Sequence, residues 1–429
     1  MRRRVKRLIL VVVAAAMVAS ACGSDMVEIE VAETAGPSAI QVADRAPSSA
    51  DPTVTGEAVT AFGADIFGAA RLEKPTENVT LSPLSIAIAL AMLEPGAVGD
   101  AKTQLHDVLH IDGSDTYHQS MNALEQALEA RQPGDYGEDS DPGELTLRIA
   151  NAAYLQDGYP FAPEYLDVIG SSYGPVLNEV DFGADPDAVA DEINAWVADH
   201  TEDRITDLIG DGVIDPATVL ALVNALYMNA SWLEPFSDAA TSEGPFTLLD
   251  GTTNEILLMN GSSDSSSQGD GWVGATKAYT GGLYIQFILP DEGRFDEIAD
   301  NLPAVIDSYP EQRSGGTTLV VPTFETRTSV ELSTALNSLG LTAPYQEGNL
   351  LDIANDPTMK VDKVIHETFI AIDERGTEAA AATVVLVTAT SAPAAQPVPV
   401  ILDRPFLYRI MDRETGATLF IGQVMDPTA

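Results

Sequence analysis

Hydrophobic and polar positions alternate with two different periods along this chain, and the change of period divides it. Between Glu57 and Leu72 the apolar residues Val59, Phe62, Ile66 and Phe67 recur at helical spacing. Asn78-Val79-Thr80-Leu81 reads as a short strand. Ser82 then serves as N-cap and Pro83 as the first residue of a helix running to Leu93. That helix is apolar nearly all round (Ile86, Ala87, Ile88, Ala89, Leu90, Met92), which predicts burial. Further helices are predicted over Gly99–His110, Tyr117–Ala130, Pro163–Tyr173 and Asp185–His200, and a strand over Leu145–Leu155. Thr218 to Met228 is almost continuously apolar and predicts a central strand.

From there strands dominate. Residues 244–290 read as several strands broken by a Ser-rich loop at 261–270. Thr317–Phe324 predicts a strand, Val330–Leu339 a helix and Lys363–Asp373 a strand. Phe406–Met411 and Thr418–Val424 form a hairpin around Glu414-Thr415-Gly416. Helices in the first half and strands in the second define an α+β protein rather than alternating α/β. No fixed repeat and no Pro/Gly-rich linker divides the chain after residue 56, so one domain is expected over 57–429.

The N-terminus has a separate logic. Arg2, Arg3, Arg4, Lys6 and Arg7 precede an apolar run, Leu8–Val18, too short to span a bilayer. Residues 1–21 read as a signal peptide. Ala19-Ser20-Ala21-Cys22 has the form of a bacterial lipobox, with Cys22 as the lipidated residue; the alternative is an ordinary secretory signal with an incidental cysteine. Residues 22–56 are small and polar, which suits a flexible tether to the outer face of the cell membrane. Cys22 is the only cysteine, so no disulfide forms within the chain.

The formal charge is −43, and removing the five basic residues of the signal peptide makes it −48 (−43 − 5). Such a chain repels nucleic acid and anionic lipid. The sequence has no Gly-x-Ser-x-Gly elbow, no His-Glu-x-x-His and no glycine-rich phosphate loop, so no enzyme site is expected. His106 and His110 stand four apart on a helix, but spacing supplies no third ligand, and neither metal nor cofactor is expected.

The segment that carries function follows the strand ending at Asp373. It reads Glu374-Arg375-Gly376-Thr377-Glu378-Ala379-Ala380-Ala381-Ala382-Thr383, and an apolar, then Pro/Ala-rich stretch follows to Pro399. Small residues at alternate positions (Thr377, Ala379, Ala381, Thr383) can enter a closed sheet face without clashing, with Glu378 on the opposite, solvent side.

This segment resembles the reactive-loop hinge of the serpins, inhibitors that trap a serine protease by inserting their own cut loop into a sheet. The resemblance covers roughly residues 57–427. Asn78 to Ile86 matches the strand-into-helix-B motif. Ile193-Asn194 with Thr201 and Arg204-Ile205-Thr206-Asp207-Leu208 resembles helix F and its exit. Leu222 to Tyr227, with Trp232, Pro235 and Phe236, is similar to strand 3A and its turn. Asp403-Arg404-Pro405-Phe406 and Phe420 to Val424 resemble the C-terminal strands.

The resemblance implies helices around three sheets and an exposed reactive loop. It implies a shutter of Ser82, Ser85, Asn224 and His366, with His366 hydrogen-bonding across the gap between strands 3A and 5A. Trp232 falls at the breach, where insertion begins. Counting from Glu374 as the family does, the scissile bond is Thr390–Ser391, with Ala389 or Ala392 before the cut under a small shift of register. No Lys, Arg or aromatic residue lies between Val384 and Pro399, so the expected partner is an elastase-like or subtilisin-like serine protease that accepts small residues. The alternative is a non-inhibitory serpin-fold binding protein on the cell surface.

Overall fold

The computed structural model describes residues 44–111, 116–132, 143–309, 316–377 and 398–429, all within one compact unit. Six helices of ten residues or more occupy its first half: α1 (Pro52–Arg71), α2 (Pro83–Leu93), α3 (Gly99–Val108), α4 (Tyr117–Glu129), α5 (Pro163–Tyr173) and α6 (Pro186–His200). Strands β1 (Val79–Leu81), β2 (Leu145–Gln156), β3 (Val176–Val180) and β4 (Leu220–Ser231) run between and after them. Next come β5 (Ser242–Thr247), β6 (Thr253–Ser262), β7 (Ser265–Gly269), β8 (Trp272–Ala278) and β9 (Leu283–Pro290). The chain closes with β10 (Thr318–Pro322), β11 (Phe324–Glu331), β12 (Ile365–Ile372), β13 (Gly376–Thr377), β14 (Val400–Ile401), β15 (Phe406–Asp412) and β16 (Thr418–Val424).

The strands form three sheets. One has the order β1-β16-β15-β9-β8-β7 and another the order β14-β10-β6-β5. The sheet that positions the site has the order β11-β12-β13-β4-β2-β3. Helix α2 packs against β4 and β16 at the centre of the molecule, with Leu84, Ile88, Ala91 and Met92 fully buried. Its N-terminus is set as the sequence predicts: the Ser82 hydroxyl accepts from the Ser85 amide at 3.3 Å, and Pro83 occupies the first turn, where no amide is needed.

The structure departs from the sequence reading in several places. Helix α1 begins at Pro52 rather than Glu57, because Asp51 caps it by accepting from the Thr53 amide at 3.0 Å. Residues 45–51 are not free tether: they lie along α4 and the end of α5. Helix α3 stops at Val108, and His110 adopts a left-handed conformation, φ 54°. The Ser-rich 261–270 stretch is mostly strand, since β7 pairs with β8 from Ser265 to Gly269 and buries Ser265 and Ser267. Backbone pairing does not require apolar side chains. The 317–324 strand is two, β10 and β11, in different sheets. Val330 and Glu331, expected in a helix, pair with His366 and Ile365 instead, and the helix is confined to Ser333–Ser338. Tertiary pairing overrides local propensity there. No helix of the described residues is long and apolar enough to cross a membrane.

Candidate functional site: a gap between two parallel strands

Strands β12 and β4 flank β13 in the sheet order, and among the described residues no backbone pairing joins the two directly. Only the two-residue strand β13 stands between them. It is antiparallel to both: Thr377 lies opposite Ile372 on β12 and Ala230 on β4, and Gly376 opposite Ser231. Consequently β4 and β12 are parallel to each other.

A tight turn delivers β13 to this place. The Asp373 carboxylate accepts from the amides of Arg375 at 2.7 Å and Gly376 at 3.1 Å. A Cβ at Gly376 would lie 2.1 Å from the Ala230 carbonyl oxygen, so only glycine fits so close to β4. The Trp232 indole donates to the Asp373 carbonyl at 2.9 Å and stacks on Tyr279 with ring centroids 4.1 Å apart. Thr377 faces the interior, fully buried, and its hydroxyl bonds Tyr279 Oη at 2.6 Å. The Glu374 carboxylate accepts from the Thr241 hydroxyl at 2.7 Å. Lys277 is buried beneath, its Nζ 4.5 Å from the Phe236 ring centroid; burial pulls its ammonium down to about 8.

Beyond Thr377 no strand of the described residues lies between β4 and β12. A cavity of about 600 Å³ lies between β4, β12, α2 and the segment after α6, with Ser82, Ser85, Asn224 and His366 among its lining residues. His366 Nε2 accepts from the Ser82 amide at 3.0 Å, so the ring is neutral, and burial holds its basicity far down, at about 3. The Ser85 hydroxyl donates to Asn224 Oδ1, and Asn224 Nδ2 donates to Asn151 Oδ1 at 2.7 Å. His366 and Asn224 are not bonded directly. The expected link across the gap passes instead through the first turn of α2, because His366 reaches the amide of Ser82 rather than β4.

The structure therefore brings Ser82, Ser85, Asn224 and His366 to the lower gap, and Trp232, Glu374, Gly376 and Thr377 to its upper end. Glu378, Ala379, Ala380, Ala381, Ala382, Thr383, Thr390, Ser391 and Cys22 lie outside the described residues. His106 and His110 do not converge: His106 Nε2 meets Glu94 Oε1 at 2.5 Å, and His110 Nε2 meets Asp65 Oδ2 at 2.9 Å. Sequence reasoning missed Asn151 and Glu125, which continue the polar chain behind Asn224. Their signal was present: Glu125 interrupts the apolar Met121, Leu124, Leu128 face of α4.

The family model described as "Serpin (serine protease inhibitor)" matches residues 57–427. The chain is 31% identical over 376 residues to an uncharacterized serpin-like protein of Thermococcus kodakarensis, covering 86% of this chain and 85% of that one. Among solved structures it is similar to Arabidopsis AtSerpin1 in its native stressed conformation (25% identity, TM-score 0.76, covering 89% of this chain and 100% of that one). It is also similar to human thyroxine-binding globulin complexed with its ligand (25% identity, TM-score 0.75, 89% and 100% covered). The chain belongs to the serpin family. It is thus of a kind that inhibits proteases rather than catalysing a reaction, although the family also includes non-inhibitory members.

Proposed function

We propose that this protein inhibits a serine protease as a suicide substrate. The protease cuts the loop that follows Thr377, and the cut loop enters the gap between β4 and β12 with the acylated protease attached. The observation that carries this reading is β13. Two residues of the hinge already pair as an antiparallel strand between β4 and β12, and a cavity lies further along the same two strands, flanked by Asn224 and His366.

The energetics favour continuation. About ten more residues would gain ten to twenty backbone hydrogen bonds, on the order of 10 kcal/mol in total at roughly 0.5–1.5 kcal/mol each. The alternate residues that would follow Thr377 toward the interior, Ala379, Ala381 and Thr383, are small. At roughly 3.3 Å per residue, the path from Glu374 to Thr390 spans about 50 Å, enough to drag a bound protease across the molecule and distort its active site. The uncut protein is then held by a kinetic barrier.

The reading assigns the scissile bond to Thr390–Ser391 and the target to elastase-like or subtilisin-like proteases. The test incubates the protein with a panel of serine proteases. A complex stable in SDS is expected with an elastase-like enzyme, together with a released fragment whose N-terminal residue is Ser391. Cleavage of the loop by every protease tested, with no covalent complex, would favour a non-inhibitory binding protein. The reading further places the protein on the outer face of a bacterial membrane through a lipid on Cys22. Cys22→Ala should abolish labelling by a radioactive fatty acid; release of unlabelled wild-type protein to the medium would refute the anchor.

A further inference from the structure

Beyond the hinge and shutter, one continuous polar path runs through the interior, and it begins at the N-terminal segment. The Ala46 amide donates to the Ser171 carbonyl at 2.9 Å, and the Ala46 carbonyl accepts from Asn122 Nδ2 at 2.7 Å and Gln126 Nε2 at 2.9 Å. The Ser48 hydroxyl donates to the Gln119 carbonyl at 2.7 Å, and the Asp51 carbonyl accepts from the Ser120 hydroxyl at 2.6 Å. This strap delivers the Arg45 guanidinium to α4. There Nε donates to Asn122 Oδ1 at 2.9 Å, Nη1 donates to Glu129 at 2.9 Å, and Nη2 lies 3.3 Å from Glu125 Oε2. Gly174 makes room for it, since a Cβ there would come within 2.8 Å of the Arg45 side chain.

Glu125 is fully buried, and Arg45 is the cation paired with it. From Glu125 onward every bond has a fixed sense. Asn151 Nδ2 donates to Glu125 Oε2 at 2.9 Å, which turns Asn151 Oδ1 toward β4 to accept from Asn224 Nδ2 at 2.7 Å. Asn224 must then present Oδ1 to the Ser85 hydroxyl. The Ser85 amide donates to the Ser82 hydroxyl oxygen at 3.3 Å, and the Ser82 amide donates to His366 on β12 at 3.0 Å. Each carboxamide has one donor end and one acceptor end. If Glu125 shifts, Asn151 Nδ2 loses the shorter of its two bonds and is oriented only by the Tyr173 carbonyl at 3.2 Å. Reversing Asn151 would set its NH2 against the NH2 of Asn224 and release Ser85. Such a chain is held cooperatively.

We propose that residues 45–51 act as a brake on the parting of β4 and β12, with Arg45 and Glu125 as positioning residues that fix the orientation of Asn151, Asn224 and Ser85. The proposal rests on the reading that the gap between these strands opens, but its test needs no protease.

The experiment is amide hydrogen exchange on the intact, full-length protein, read by mass spectrometry in peptides covering 80–86, 220–228 and 365–369. Arg45→Gln should raise exchange there about tenfold, the equivalent of one lost hydrogen bond. Arg131→Gln is the control. It breaks another ion pair at the end of α4, to Asp412 at 2.8 Å, that has no part in this path. It should leave the 80–86 peptide unchanged. Should Arg45→Gln fold poorly, Asn122→Ala loosens the strap and its hold on Arg45 while leaving Glu125, Asn151, Asn224 and Ser85 unaltered, and it should move the same peptides in the same direction. In a Glu125→Gln background, Arg45→Gln should add nothing. Exchange that rises only within α4, an equal response to Arg131→Gln, or additive effects in the double variant would each overturn the brake. A response without any covalent protease complex would leave the brake standing and remove the inhibitory reading alone.

Discussion

The two ends of the gap are built on opposite terms. At the upper end the hinge, the Trp232–Tyr279 stack, Asp373 and Thr377 leave no space, and the backbones of β4 and β12 are both paired to β13. At the lower end the same strands flank a cavity lined largely by apolar side chains such as Ile86, Leu90 and Ile205, and the links at the start of α2 are hydrogen bonds among short side chains and His366. Packed apolar contacts are lost wholesale when surfaces part, whereas a hydroxyl or carboxamide can change partner and stay satisfied. On the proposed mechanism this difference would give insertion a direction: a strand seeded at the sealed end would extend into the end that can yield.

The sharpest way to break this contrast is at the seed. Thr377→Arg would place a charge beside Tyr279 in a site with no room for it, and Ala379→Pro would remove a ladder hydrogen bond. Both variants should still be cut, while the SDS-stable complex falls below detection. Undiminished complex formation by both would sink the model.

A smaller effect sharpens the lower end. The basicity of His366 is depressed to about 3 in the fold, against about 6.5 in an unfolded chain. Between these values the unfolded chain takes up a proton that the fold refuses, so this histidine's contribution, complete above pH 6.5, is lost as pH falls. Burial pushes the Glu125 carboxyl the other way, up to about 8, so it favours the fold increasingly as pH falls from 8 to 4.5 and partly masks the trend. The clean quantity is a difference. Relative to wild type, His366→Gln should gain about 1.4 kcal/mol of stability per pH unit between 6.5 and 4.5, read from urea unfolding. A difference independent of pH would mean that His366 is not held neutral by burial.

Much of this site was legible in the sequence because it is local. Ser82-Pro83 writes its own cap and first turn, and Gly376 marks a position where the backbone comes too close to β4 for a side chain. The contrast between α2, apolar all round, and the one-sided α4 also separates a buried helix from a surface one. What escaped was non-local. Nothing near Val330 foretells that it pairs with His366, and nothing near Ser265 foretells that β8 will recruit it. Asn151 reads as an ordinary strand residue until Glu125 and Asn224, 26 and 73 residues away in the chain, are brought to it. The link through α2 in place of a direct His366–Asn224 bond depends on where a helix start sits relative to two strands, and periodicity carries no such information.

The short strand β13 also works as a ruler. Thr377 stands opposite Ala230 on β4 and Ile372 on β12, so antiparallel pairs sum to 607 on one side and 749 on the other. Extended without a bulge, the count places residue 383 opposite 224 (607 − 383) and opposite 366 (749 − 383). Both sums select the same newcomer. Thr383 would arrive between Asn224 and His366 and bring a hydroxyl that can both donate and accept to the two side chains the resting molecule leaves unbonded to each other. A crystal structure of the loop-cleaved protein with Thr383 at any other rung would show that the ruler slips.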